Sequence, residues 1–444
     1  MPIRLTGFAL AALMIPALSQ AAGARITSAQ LDAAAKAIEP KTVEWRRDFH
    51  ANPELGNREV RTAEQVAKRL RALGMEVKTG VGVTGVVGLL RGAQPGRTVG
   101  LRSDMDALPV TEQTDVPFKS KVTAQFRGET VGVMHACGHD GHMAILLSVA
   151  EVLAGFRQQL KGQVLFVFQP AEEGPPEGER GGASLMLDEG AFKIAKPDVM
   201  YGLHAMASLP TGVIGYRAGP FMAGSESYTL VVKGRQTHGS RPWGGVDPIV
   251  AAAQIVVGLQ TIVSRQIDIT EMPAVISVGA IKGGVRFNII PDDVQMIGTV
   301  RTFSTATRND IARRMQAMAG SIAEANGATA TVRFKDLSKP TSADEISIPP
   351  VVNDAAVTAA ALPVFERVVG KDNVRQISLQ TTAEDFSFFG QQVPSLFFWI
   401  GTTPPDRDPQ TAAFNHSPLF YFDEAGMITG VRALLALTTE YLAK

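Results

Sequence analysis

Eight residues, His135-Ala136-Cys137-Gly138-His139-Asp140-Gly141-His142, hold three histidines, an aspartate and the only cysteine of the chain. Sulfur, imidazole and carboxylate are the donors that transition cations take. A lone buried cysteine is more often an inert small hydrophobe. Cys137 and His139, two apart just ahead of a helical stretch, are nevertheless spaced to place a thiolate and an imidazole on one cation. His135 and His142 read as structural supports of that pair. A second element is Phe168-Gln169-Pro170-Ala171-Glu172-Glu173-Gly174, directly after the apolar run Val164–Phe168. Two adjacent carboxylates leaving a buried strand are costly to desolvate unless positive charge lies near. In a strand-like stretch they would point opposite ways, one to a metal and the other to its water. Glu177 and Glu179 read as solvated loop. Asp104 and Asp106 follow a further apolar run, and His204 ends another, Val199–Leu203. His416 sits in the polar loop Asn415-His416-Ser417-Pro418. For Glu384 and Asp385, capping and packing serve as well as catalysis.

Groups so distant in sequence meet only if a sheet delivers them. Helical spacing at Glu59–Leu73, stopped by Gly74, and at Met143–Leu153 alternates with apolar runs at Gly85–Leu90, Thr98–Leu101, Val164–Phe168 and Val199–Leu203. That alternation predicts an α/β catalytic domain, with a central mostly parallel sheet and helices on both faces. In such sheets ligands bind beyond the carboxyl ends of the strands. Asp104, the Glu172-Glu173 pair and His204 would then share one rim. Past Gly219 the pattern becomes strand, helix, two strands, helix, strand, at Tyr228–Lys233, Asp247–Ser264, Ala274–Ile281, Asp293–Phe303, Arg308–Ala325 and Ala328–Phe334. This is the β-α-β-β-α-β order of a ferredoxin-like α+β unit. It predicts an insertion at 218–335 within a domain made of 25–217 and 336–444, which closes on a helix at Asp423–Leu442. Gly80-Val81-Gly82-Val83-Thr84-Gly85 matches the dinucleotide fingerprint, but an apolar run follows it where a helix should open. It reads as a turn between strands.

The 444 residues carry 43 basic and 43 acidic side chains. Zero net charge argues against a nucleic-acid binder, and one cysteine excludes a disulfide scaffold. Residues 1–24 place Arg4 before an apolar run, Leu5–Leu18, and then small residues, the layout of a cleaved secretory signal. The chain is thus expected to be exported, periplasmic or secreted, with no membrane attachment after cleavage. No later segment reads as long and apolar enough to span.

In chain order, LRSDMDALP, HACGHDGH, QPAEEG, GLHA, THGSRP, FNIIPD, AEDFSFF and NHSP resemble the hippurate hydrolase-like branch of the metal-dependent aminoacylase–carboxypeptidase family. That branch holds N-acyl-amino-acid amidohydrolases and is similar to the indole-acetyl-amino-acid hydrolases. The resemblance covers about Ile26 to Leu442. It implies two divalent metal ions per subunit, zinc, manganese, cobalt or nickel, held by Cys137, His139, Glu173, His204 and His416. It makes Glu172 the general base. His238, from the inserted lid domain, would reach the active site of the partner subunit in a homodimer or higher oligomer and stabilise the oxyanion. Asn288 would hold the substrate carboxylate or carbonyl. Asp104, Asp106, Asp140 and His142 would orient ligands. The chain departs from the wider family in having a thiolate where many relatives use a bridging aspartate, and Thr237 where alanine is more usual. The implied reaction is hydrolysis of the amide bond of an N-acyl or N-aroyl amino acid or a small dipeptide. A cysteine-nucleophile hydrolase and a periplasmic peptide-binding protein without turnover are the alternatives. Trp243, Phe287 and Trp399 would line an acyl pocket or, by preference, pack a core.

Overall fold

The computed structural model describes residues 25–335 and 347–444. The expected targeting segment, 1–24, lies outside them. Helix α1 (Ser28–Ala51) opens on a Thr27/Gln30 capping box, each side chain satisfying the other's free backbone N–H. Helix α2 (Val60–Ala72) stops at Gly74, whose φ of 70° is the left-handed conformation glycine tolerates. Strands β1 (Glu76–Val81) and β2 (Gly85–Arg91) pair antiparallel, so the glycine-rich run between them is a turn. Strand β3 (Gln94–Asp104) follows, then a two-stranded hairpin, β4 (Thr123–Phe126) and β5 (Glu129–Gly132). Helix α3 (His139–Gly155), β6 (Lys161–Gln169), α4 (Gly182–Asp188), β7 (Val199–Pro210) and β8 (Ile214–Tyr216) complete this segment.

The inserted part leaves through β9 (Gly219–Met222) and β10 (Gly224–Lys233). It continues through β11 (Thr237–His238), α5 (Pro248–Gln266), β12 (Val275–Gly283), β13 (Ile289–Ile290), β14 (Asp293–Thr302), α6 (Thr305–Ala325) and β15 (Thr329–Phe334). Its four long strands are antiparallel in the order β12-β14-β10-β15. Helices α5 and α6 pack on them over Leu230, Ile255, Met296 and Met315. The chain returns through β16 (Ser347–Ile348) and β17 (Val351–Asn353), which pair with β10 and β9. Then come α7 (Ala355–Val369), β18 (Val374–Gln376), α8 (Ser387–Gly390), β19 (Ser395–Thr403) and α9 (Met427–Ala443).

The large sheet runs β1-β2-β6-β3-β7-β19-β8-β18, and its centre, β6-β3-β7-β19, is parallel. Central parallel strands are covered on both faces and so read as unbroken apolar runs, as Val164–Phe168 and Leu396–Ile400 do. Helices α1, α3 and α9 cover one face over Phe49, Leu147, Phe166 and Leu434. Helices α4 and α8 cover the other over Met186, Val167, Phe386 and Phe397.

Three sequence expectations are corrected here. Strand β7 does not end at Leu203. Its ladder with β19 carries it to Pro210, so His204 lies within the strand, opposite Trp399. Glu172 and Glu173 are not strand-like: Pro170 lacks an N–H for the ladder, Ala171 turns left-handed at φ 49°, and the pair sits on a turn. Helix α5, 19 residues of mean hydropathy 1.4, is long and apolar enough to cross a bilayer by those two measures. In the fold it is a helix of the inserted domain, with Ala251, Ile255, Leu259 and Ile262 on the sheet and Val250 and Val257 exposed.

Candidate metal centre

The central strands deliver their side chains to one rim. Asp104 and Gln169 are register partners at the ends of β3 and β6, and Gly202 of β7 pairs with Arg102. Between Cys137 and the first residue of α3, Gly138 takes φ 95°. A Cβ there would stand 2.8 Å from the Ala205 Cβ and 3.2 Å from the Phe422 ring. Gly138→Ala should therefore cost about 1–3 kcal/mol and loosen cation binding, read by denaturation and metal titration. A variant unchanged in both would contradict this role.

Cys137 Sγ lies 3.3 Å from Nε2 of both His204 and His416. His416 Nε2 is also 3.0 Å from Glu173 Oε1. The donor atoms of Cys137, His139 and Glu173 lie within 4.8 Å of one another. Donors 2.0–2.3 Å from a tetrahedral cation stand about 3.3–3.8 Å apart, close to these spacings. The turn at Ala171 separates the two glutamates: Glu173 faces His416, while Glu172 lies 3.9 Å from His139 Nε2 and beside Glu384 and Asp385.

Hydrogen bonds fix which ring nitrogens remain for a ligand. A carbonyl only accepts, so His139 Nδ1, 2.8 Å from the Asp106 carbonyl, carries hydrogen, as does His204 Nδ1, 2.7 Å from that of Ala205. Their Nε2 atoms turn inward. His142 has neither nitrogen left: Nε2 accepts the Ala205 N–H at 2.7 Å, and Nδ1 donates to Asp104 Oδ1 at 2.7 Å. His139 Nε2 is buried without a hydrogen-bond partner, and Glu173 Oε1, though close to His416, is not aligned in one. Buried polar atoms are rarely left so.

The electrostatics point the same way. Burial, then the charges of Glu173, Glu172 and Asp104, push the Cys137 thiol well above its ordinary value. Burial favours neutral His139, yet Asp104, Asp106 and Glu173 outweigh it and raise that imidazole to about 10. A proton is thus drawn to the point where inward-facing sulfur, nitrogen and oxygen donors would hold a cation. Burial and the neighbouring Glu384, Glu173 and Asp385 push Glu172 well above the usual carboxylate range.

The remaining acids hold the site in place. Asp106 Oδ2 accepts the Glu173 N–H at 2.9 Å, and its carbonyl orients His139. Asp140 is buried between Arg46 Nε and His50 Nδ1, each at 2.8 Å. The other His50 nitrogen is 3.1 Å from Glu112 Oε1. With carboxylates at both nitrogens, His50 is held as an imidazolium and its pKa is raised despite burial. Asn415 bridges the Cys137 and Ala205 carbonyls, placing His416.

Two buried groups, Glu59 and Arg102, carry no sequence signal, and His135 has one only as a structural support. Glu59 accepts the Ala171 N–H at 2.8 Å and so braces the glutamate turn. Arg102 contacts Gln169, Asp104, Glu384 and Asp385. This settles Glu384 and Asp385 as its counter-ions, which also accept the backbone N–H groups of Phe386 and Ala183. His135 is buried with both ring nitrogens unpartnered, and burial lowers its pKa to about 3. The unfolded chain, near pKa 6.5, binds a proton that the folded chain refuses. Stability should therefore fall as pH drops from 6.5 toward 3, by about 1.4 kcal/mol per pH unit from this group. His135→Leu should flatten that acid limb in denaturation curves; an unchanged limb would contradict it.

Within one chain His238 and Asn288 are not brought to the rim. His238 is exposed on β11, its Nδ1 accepting the Ser240 N–H at 3.1 Å. The Asn288 carbonyl accepts the Gly239 N–H nearby. The preference for core packing holds for Trp399, 2% exposed, but not for Trp243 and Phe287, which are 76% and 96% exposed. Both lie on the inserted domain, Trp243 in the 3-10 turn Pro242–Gly244, and no layer among the described residues covers them.

Residues 100–440 match the family described as Peptidase family M20/M25/M40. The chain belongs to the M20 peptidase family. This M20 chain is 40% identical to thermostable carboxypeptidase 2 of Saccharolobus solfataricus, over 90% of its own length and 96% of the relative's. It is 36% identical to IAA-amino acid hydrolase ILR1-like 4 of Arabidopsis thaliana, over 89% and 84% of the two chains. The crystal structure of the Bacillus subtilis YXEP protein, described as a dinuclear metal binding peptidase, superposes with a TM-score of 0.74 at 32% identity, covering 92% and 99%. The M20 chain is accordingly a metal-binding hydrolase of the amidohydrolase–peptidase kind, with a small peptide or amide as substrate.

Proposed function

We propose that the protein hydrolyses the amide bond of N-acyl or N-aroyl amino acids, or of small dipeptides, with two divalent cations at the rim. The observation that carries this reading is the convergence of Cys137, His139, Glu173, His204 and His416, with Glu172 alongside. Cysteine, histidine and glutamate together suit borderline cations, and the orphaned His139 Nε2 fits a ligand role. Such a cation pair supplies Lewis-acid polarisation of the scissile carbonyl and a water acidified toward neutrality. Glu172 takes the proton of the attacking water and returns it to the departing amine. Its high proton affinity in a buried, anionic setting suits a base. Asp106, Asp104 and His142 keep the ligand set oriented.

Cys137 has two imidazoles at 3.3 Å, the contact a cysteine nucleophile would show. Its setting argues against that role, since nucleophilic cysteines sit in electropositive sites that lower the pKa and here burial, with the neighbouring carboxylates, raises it. For the dimer, the support is the exposed apolar set Trp243, Val257, Ile281, Val285 and Phe287 on the inserted domain. A second subunit seated there could bring His238 and Asn288 to this rim. Export to the periplasm or the medium rests on residues 1–24 alone.

The deciding experiment assays a panel of acyl-amino acids and dipeptides with metal-stripped protein reloaded with zinc, manganese, cobalt or nickel. The reading predicts cation-dependent release of the free amino acid. Equal turnover in thoroughly chelated protein, or none with any cation, would overturn it.

A further inference from the structure

A cavity of about 460 Å³ opens beside the rim, with Asp106, Glu172 and Glu173 on its inner wall. Small-ligand sites are typically about 300–1,000 Å³ and mostly apolar, with a few polar groups that orient the ligand. Here the apolar lining comes from five separate stretches: Leu55, Leu108, Phe126 of the β4–β5 hairpin, Pro175 and Pro176 after the glutamate turn, and Phe388 of α8. The hairpin is tight. Phe126 and Glu129 are register partners, and the two residues between them, Arg127 and Gly128, have φ of 51° and 85°. This is the left-handed pair that suits a two-residue hairpin loop. Phe126 is half-buried on a small cluster with Leu55, Ala107 and Val133, so its ring is fixed while part of it faces the cavity.

The cations around this space, Arg127 and Lys335 among them, are engaged elsewhere, and of the lining acids Glu177 stands exposed. Arg58 pairs with Glu179 and Arg180 with Asp188. Asp385 is held by Arg102, Gln169 and the Ala183 N–H. Asp106 and Glu173 belong to the metal centre. An anionic substituent would find the cations already taken, and a cationic one would meet only the exposed Glu177, whereas an uncharged hydrocarbon would gain from burial. Because Glu172 forms the inner wall, a group seated here adjoins the bond at which Glu172 acts.

We infer that this cavity is the acyl-group subsite, that it takes an uncharged aromatic or aliphatic acyl group, and that Phe126 and Phe388 set the preference. This rests on the reaction proposed above. None of Trp243, Phe287 and Trp399 lines the cavity.

The test compares N-acetyl, N-butanoyl, N-hexanoyl and N-benzoyl conjugates of one amino acid, with metal-loaded wild type, Phe126→Ala, Phe126→Leu and Phe388→Ala. In wild type kcat/KM should rise by about four-fold per buried methylene. Phe126→Ala should lower it about ten-fold for the benzoyl conjugate, by loss of aromatic contact, and leave the acetyl conjugate within about two-fold. Phe126→Leu should restore much of it. Phe388→Ala, from the opposite wall, should show the same selectivity should the hairpin variant fold poorly. Binding of benzoate against acetate, read by calorimetry on the metal-loaded proteins, needs no turnover. No turnover with a Phe126-dependent preference for benzoate would sink the reaction and keep the subsite. Turnover with equal losses across the acyl series, and no preference for benzoate, would sink the subsite and keep the reaction.

Discussion

Glu172→Gln should retain both cations and lose about 10²–10⁴-fold in kcat, the usual cost of removing a general base. The amide keeps the shape of the side chain but cannot take a proton. Glu172 is not required to hold the ligand set, because Glu173 faces His416 and the cysteine while Glu172 faces His139 and the Glu384–Asp385 pair. The loss should therefore fall on kcat, with KM for an acyl-amino acid changed little. Steady-state rates beside metal content separate the cases. Near-wild-type turnover would remove Glu172 from the mechanism. Loss of metal together with activity would make it a ligand.

Arg102→Met should destabilise the fold by about 3–5 kcal/mol, the scale found when one partner of a buried ion pair is removed. The Arg102 guanidinium reaches Asp104 at 2.7 Å, Glu384 at 2.9 Å and Asp385 at 3.2 Å, with no solvent access. Even with it present, burial and mutual repulsion hold Glu384 up to about 7 and Asp385 up to about 6. The sign of the pH dependence follows. Carboxyls with raised folded pKa values are protonated in the folded chain when already ionised in the unfolded one, so their contribution falls as pH rises. Without Arg102 that rise in proton affinity grows, and the deficit should be larger at pH 8 than at pH 5. Arg102→Lys should recover only part, because an ammonium lacks the planar fork that spans several carboxylates. Urea denaturation at the two pH values checks this. A loss under about 1 kcal/mol, or a deficit that shrinks as pH rises, would contradict it.

The apolar runs of the central strands, the helix ending at Gly74 and the β-α-β-β-α-β insertion were legible because each is a local signal of period and punctuation. So were Cys137 and His139, metal-type donors clustered ahead of a helix, and the Glu172-Glu173 pair, improbable on leaving a buried strand unless charge is compensated. What could not be read was set by tertiary partners. His204 lies within a strand because β19 extends the ladder. Glu172 and Glu173 diverge through a turn braced by Glu59, which in sequence resembles any acid at a helix start. Arg102 comes just after an apolar run, near the end of β3, and only the sheet shows the three carboxylates around it. Trp243 and Phe287 look like core residues by type, yet no element among the described residues covers them. His238 and Asn288 stand away from the rim within one chain, so the roles proposed for them require a second subunit.

The central claim is that Cys137, His139, Glu173, His204 and His416 hold a pair of cations. Elemental analysis of active protein, run beside Cys137→Ser and His416→Ala, tests it most directly. The account predicts two divalent ions per chain in wild type, as described for the related dinuclear peptidase, and depleted metal in both variants with the fold intact. Active protein free of bound cation, or variants as fully loaded as wild type, would contradict it.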